Sequence, residues 1–219
     1  MTNDASPVVA LHEAVVIASG FPLLSGVDLE LAPASLSVVT GANGAGKTSL
    51  LRLLAGLDSL TSGTGIVAGI DLALGDRRQL RRRVGWLGHE GSFYDDLSVR
   101  ENLTFAAKAL ERPVAEIVSV VQRVDLASRI DTTTKQLSAG QRRRLGLAWL
   151  LLRRPELWLL DEPYASLDDA GRTFFDELLG DVVASGATVV VSAHDALRSP
   201  TLNARTIVMA GGRIAREAS

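Results

Sequence analysis

The stretch "GANGAGKT", Gly41 to Thr48, carries glycine at its first, fourth and sixth positions and closes on a lysine and a threonine. It matches G-x-x-x-x-G-K-[ST], a loop whose backbone N–H groups curve around phosphate oxygens because glycine puts no Cβ in the way. Gly41, Ala42, Asn43, Gly44, Ala45 and Gly46 make the cradle, Lys47 supplies the cation for terminal phosphates, and Thr48 offers a hydroxyl to Mg²⁺, with Ser49 next along the chain. The bland alternative is an ordinary glycine turn. A predicted strand before the loop and a predicted helix after it argue against that reading.

A second chemical element is "LWLLDEP", residues 157 to 163, where an apolar strand runs into two carboxylates. At the carboxyl edge of an α/β sheet, Asp161 is expected to face Mg²⁺ or its waters and Glu162 to polarise an attacking water. An acidic pair at a strand end says little alone; with a phosphate loop upstream it reads as catalytic.

The third element, "LSAGQ" at 137 to 141, is puzzling because the chain already has its phosphate cradle. Ser138 and Gln141 fit S-x-x-Q, a capping box opening the helix "RRRLGLAWLLLRR". A serine hydroxyl, the N–H groups of a helix start, and Gly140 permitting close backbone approach also form a second phosphate-binding surface. Two such surfaces in one chain suggest a head-to-tail pair, each copy's turn closing over the other's nucleotide.

Strands and helices must position these groups. The alternating "VDLEL" puts Val27, Leu29 and Leu31 on one strand face, "SLSVVT" reads as a buried strand, and "TSLLRLLAGL" switches to helical spacing until Gly56. In "SVRE", Ser98 and Glu101 form a capping box that opens a helix ending near Pro113, and "AEIVSVVQRV" follows as another helix. The last third alternates again: "LWLL", a helix around "AGRTFFDELLGDVVA", the strand "ATVVVSAH", and a Gly-Gly hairpin in "TIVMAGGRIA". This order predicts an α/β core with a helical insertion near residues 97 to 136.

Composition narrows the function classes. The 219 residues, 47% hydrophobic, are enough for one sizeable core, and a net charge of -2 argues against a general nucleic-acid binder. The basic run Arg77 to Arg83 reads as a solvated helix face. With no cysteine in the chain, disulfides, thiolate metal sites and cysteine nucleophiles are excluded. No apolar run approaches the roughly 20 residues of a membrane span, and "MTNDASPVV" has no signal-peptide pattern, so a cytoplasmic location is expected.

Taken together, "GANGAGKT", "LSAGQ", "LWLLDEP", "SLD" at 166 to 168 and His194 after a strand resemble the ATP-binding subunit of ABC transporters over nearly the whole chain. The resemblance implies a P-loop NTPase core of the ABC type with an antiparallel β portion, one ATPase domain spanning 1–219. It also implies ATP and Mg²⁺ as ligands, with Thr48 and Asp161 at the metal. The expected partners are membrane permease subunits and a second copy of the chain in an ATP-dependent homodimer. That would hold the protein peripherally on the cytoplasmic face of the cell membrane.

By the same resemblance Ser138, Gly140 and Gln141 bind the opposite subunit's γ-phosphate, Asp168 lies in an inter-subunit loop, and His194 senses that phosphate. His89 stands where the family usually has a glutamine near the metal. Phe21, the one aromatic ahead of the phosphate loop, sits at a poor offset for stacking adenine and reads as core. Phe93 and Tyr94, in the loop after His89, are the expected docking point for the permease, with burial in the core as the alternative.

Within the family, "WLGHEG" and "LSAGQ" are similar to the ATPases of haem-exporter-like systems in cytochrome c maturation. A drug, peptide or lipid exporter's ATPase stays open beside it. A soluble ABC ATPase is disfavoured because neither a tandem cassette nor long heptads occur.

Overall fold

The computed structural model describes residues 6–88, 93–165, 167–193 and 203–218. Two long alternating runs form β1 (Val9–Ala18) and β2 (Phe21–Leu31), an antiparallel pair, and the all-buried run gives β3 (Leu36–Thr40). Helix α1 (Lys47–Leu54) follows and stops as the helical spacing breaks, with Gly56 beyond it at φ 66°. Val27, Leu29 and Leu31 face the core together, as the period of two requires.

The chain then adds β4 (Ser62–Val67), β5 (Ile70–Asp71), α2 (Arg77–Arg83) and β6 (Val84–Leu87). Only Leu80 of α2 is buried, so its arginines do form a solvated face, and Asp76 caps the helix by accepting from the Arg78 N–H. Helices α3 (Val99–Ala109), α4 (Glu116–Arg123) and α5 (Ala139–Arg153) come next, and both predicted capping boxes, Ser98/Glu101 and Ser138/Gln141, are formed.

Strand β7 (Leu157–Leu160), α6 (Asp169–Ala184), β8 (Thr188–Ser192), β9 (Ala204–Ala210) and β10 (Arg213–Ala218) complete the order. The turn of the last hairpin is Gly211-Gly212 with both φ positive, the geometry a two-residue β-hairpin needs.

One sheet is antiparallel, in the order β2-β1-β4-β5; the other runs β10-β9-β3-β8-β7-β6. In the second sheet β3 pairs in parallel with β8 and β9, and β8 with β7. Parallel pairing brings the carboxyl ends of β3, β8 and β7 to one edge, where such sheets bind ligands. No helix among the described residues is long and apolar enough to cross a membrane.

By internal packing the chain divides into two compact units, Met1–Trp86 with Pro155–Ser219, and Leu87–Arg154. On its C-terminal side the second reaches past the expected 97 to 136 because α5 packs on α3 and α4. Phe21 departs from expectation: it is not core but 73% exposed. It opens β2 directly across from Ala18 beside the Ser19-Gly20 turn, at a hairpin end the core does not reach.

Candidate functional site

The loop after β3 closes on its own lysine. Lys47, only 6% exposed, donates from Nζ to the carbonyls of Gly41 at 2.8 Å and Ala42 at 3.2 Å. The Ala45 N–H donates to the Ala42 carbonyl at 3.1 Å, tightening the turn. Two glycines are sterically required. Gly41 has φ 143°, and a Cβ there would lie 2.3 Å from the Met209 carbonyl oxygen; Gly46, at φ 103°, has Leu23 and Gly212 backbone atoms 3.1 and 3.2 Å from where a Cβ would sit. Helix α1 begins at Lys47 with no side-chain cap and no acidic residue in its first turn. Its leading N–H groups and partial positive charge are thus suited to an anion.

Beyond β7, Asp161 is 8% exposed and accepts from the Thr48 hydroxyl at 3.0 Å on Oδ2 and 3.2 Å on Oδ1. Topology brings them together: α1 starts after β3, Asp161 follows β7, and β8 lies between those strands. Ser192, the last residue of β8 and fully buried, donates to Asp161 Oδ1 at 2.6 Å and accepts from the Glu162 N–H at 2.8 Å. Glu162 itself has φ 49°, a left-handed conformation that a non-glycine residue adopts at a cost and that clusters at functional sites.

Two residues later, Tyr164 donates to Asp176 Oδ1 of α6 at 2.6 Å and sets its ring edge-on to Phe175. Burial first, then the Asp176 carboxylate, push its phenol well above the ordinary range. Asp168 is the N-cap of α6, accepting from the Gly171 N–H at 2.8 Å. The phosphate loop, Asp161, Glu162 and Asp168 all belong to the first compact unit.

Ser138, Gly140 and Gln141 belong to the second. Ser138 Oγ accepts from the Gln141 N–H at 3.2 Å, and Gln141 Oε1 accepts from the Ser138 N–H at 3.0 Å. A Cβ added at Gly140 would meet nothing within 4 Å, so the space over this helix start is open. In the same unit Tyr94 packs edge-on to Phe105 with centroids 5.4 Å apart, and the two are 56% and 50% exposed. Phe93 is partly buried and sets its ring against Trp149. Asn102 holds this loop by exchanging hydrogen bonds with both backbone groups of Tyr94.

His89 and His194 lie outside the described residues. Sequence reasoning passed over Ser192 and the Tyr164–Asp176 pair. The available signal for the first was a single hydroxyl closing the apolar run "TVVV"; the second needs α6 folded back to within reach, which no local pattern encodes.

A glycine loop closed on its own lysine and a hydroxyl–carboxylate pair at the edge of a parallel sheet form the arrangement of a P-loop protein. A family model described as ABC transporter matches residues 24–165. The chain belongs to the ABC transporter family, as its ATP-binding and ATP-hydrolysing subunit.

Among curated relatives, a "cytochrome c biogenesis ATP-binding export protein CcmA" of Xanthomonas axonopodis pv. citri is 36% identical over 94% of this chain and 96% of its own. A "CcmA 2" of Cupriavidus metallidurans is 42% identical over 80% of this chain and 83% of its own. The fold is that of solved ATP-binding cassettes. One, a dimeric post-hydrolysis state bound to ADP and Pi, superposes with a TM-score of 0.86 at 23% identity, covering 96% of this chain and 98% of that one. Another, from Clostridium perfringens and described as part of an ABC transporter complex, has a TM-score of 0.85 at 24% identity, covering 98% and 89%.

Proposed function

We propose that the chain drives separate membrane subunits on the cytoplasmic face of the cell membrane by closing as a homodimer on two MgATP and reopening after hydrolysis. The observation that carries this reading is the Thr48 hydroxyl 3.0 Å from the Asp161 carboxylate beside a lysine enclosed by the phosphate loop. Those hard oxygen donors fit magnesium, which prefers one or two protein oxygens together with water and phosphate. The metal would neutralise charge on the phosphates.

Lys47 and the α1 N–H groups hold and orient the phosphate chain. Glu162 takes a proton from water as its oxygen attacks the γ-phosphorus and the bond to the β-phosphate oxygen breaks, releasing ADP and phosphate. Ser138, Gly140 and Gln141 of a second copy complete the γ-phosphate site, for which the open space at Gly140 is favourable. Asp168 would stand at the contact between copies. His194 would steady the γ-phosphate, and His89 would reach a metal-bound water.

The cargo reading follows the relatives. Likeness to the CcmA proteins over most of the chain supports a role in cytochrome c maturation with haem as the exported group. The exposed Tyr94–Phe105 pair, held by Asn102, is the docking point we favour for the membrane partner.

The test uses a tagged Glu162→Gln chain in its native cell, purified from detergent-solubilised membranes with MgATP. Co-purified cytochrome c maturation subunits with haem absorption are expected. An unrelated permease would keep the ATPase reading and discard haem, and the absence of any membrane protein would overturn the coupling. Wild-type turnover by Glu162→Gln would remove Glu162 from the base role.

A further inference from the structure

We propose that Ser192 is a positioning residue that sets the metal-facing carboxylate of Asp161 and the backbone of Glu162 as one unit. The inference rests on the reading of Asp161 and Glu162 given above. Strand β8 is the middle strand of the three that build the site, with β3 on one side and β7 on the other. Leu160 pairs with Val191, so the residues that follow, Asp161 and Ser192, emerge side by side at the carboxyl edge.

The direction of the two hydrogen bonds is settled by chemistry. A carboxylate oxygen accepts and a backbone N–H donates, so the single hydroxyl proton of Ser192 must go to Asp161 Oδ1 and its lone pair must receive the Glu162 N–H. Oδ1 held at 2.6 Å fixes the rotation of the Asp161 carboxyl, with Oδ2 the nearer of its two oxygens to the Thr48 hydroxyl, at 3.0 Å against 3.2 Å. At the next residue, the same hydroxyl pins the N–H of a backbone at φ 49°, a conformation that needs its surroundings to hold it.

A hydroxyl 0% exposed after three buried valines is costly unless both its bonds are made, and here both are made to residues of the site. A merely structural serine would serve the strand; this one serves the two residues that differ most in task, one at the metal and one at the water. Groups of this kind typically change metal affinity or activity by about 10- to 100-fold when removed.

The test compares full-length wild type, Ser192→Ala, Ser192→Thr and Glu162→Gln. Binding of a fluorescent ATP analogue is titrated with Mg²⁺ and repeated in EDTA, and ATPase kcat and KM are measured with thermal midpoints. For Ser192→Ala we expect EDTA binding within about twofold of wild type, a Mg²⁺ midpoint raised about threefold or more, and kcat lowered about tenfold with little change in KM. Ser192→Thr, which keeps the hydroxyl, is expected to recover both.

A Ser192→Ala protein with wild-type Mg²⁺ midpoint and kcat, one that loses EDTA binding equally, or one that fails to fold would overturn the proposal. Failure of the underlying reading looks different. In that case Glu162→Gln turns over like wild type, or Mg²⁺ leaves wild-type binding unchanged.

Discussion

The Thr48 hydroxyl and the Asp161 carboxylate meet at 3.0 Å although 113 residues separate them in sequence. Valine matches threonine in shape and lacks the hydroxyl, so Thr48→Val isolates that oxygen. We expect Mg²⁺-dependent nucleotide affinity to fall by about tenfold or more while affinity in EDTA is kept, as calorimetric titration would read. Equal Mg²⁺ dependence in the two proteins would remove Thr48 from the proposed metal site.

Gly41 and Gly140 make opposite predictions. Gly41→Ala drives a Cβ to 2.3 Å from the Met209 backbone at a φ that side chains rarely adopt. A loss of about 1–3 kcal/mol in denaturant unfolding is expected. Gly140→Ala meets open space in the first turn of α5 and should leave stability unchanged or raise it by about 0.5 kcal/mol. Any fall in ATPase in that stable variant then reports on the proposed contact with a second copy.

Ser138 has a local task and a proposed distant one. Aspartate caps a helix as well as serine does, but brings a negative charge to the proposed γ-phosphate surface. Ser138→Asp is expected to keep the thermal midpoint yet lose ATP-driven dimerisation in light scattering, whereas Ser138→Ala should lose about 1 kcal/mol of stability. A Ser138→Asp chain that still dimerises with MgATP would confine Ser138 to capping.

Tyr164 predicts a pH dependence. Its phenol is raised above the ordinary value of 10.0 in the folded chain, by burial and then by the bond to Asp176. The native state therefore holds that proton where the unfolded state has lost it, so the contribution is fully present below about pH 10 and is lost as pH rises above that. Alkaline unfolding should be steeper for wild type than for Tyr164→Phe. At neutral pH the phenylalanine variant should lose about 1 kcal/mol, because Asp176 loses its donor.

What could be read without coordinates was what depends on neighbours in the chain. The capping boxes at Ser98 and Ser138, the Gly211-Gly212 hairpin and the loop at Gly41 to Thr48 each need only a few consecutive residues. The solvated face of α2 followed from its charge density alone. Phe21 was misread because a lone aromatic is usually core, and exposure at a hairpin end depends on where the core stops.

Local spacing and turn chemistry are enough to read β1 to β3, β7, β8, the closing hairpin and helices α1 and α3 to α6 of this ATPase subunit, whereas β4, β5 and β6 carry no such signal and were not expected. That β8 runs between β3 and β7, which sets Ser192 against Asp161 and Glu162, emerges from the folded sheet alone. Strand order comes from the packing of the whole sheet, and no residue's immediate neighbours carry that information.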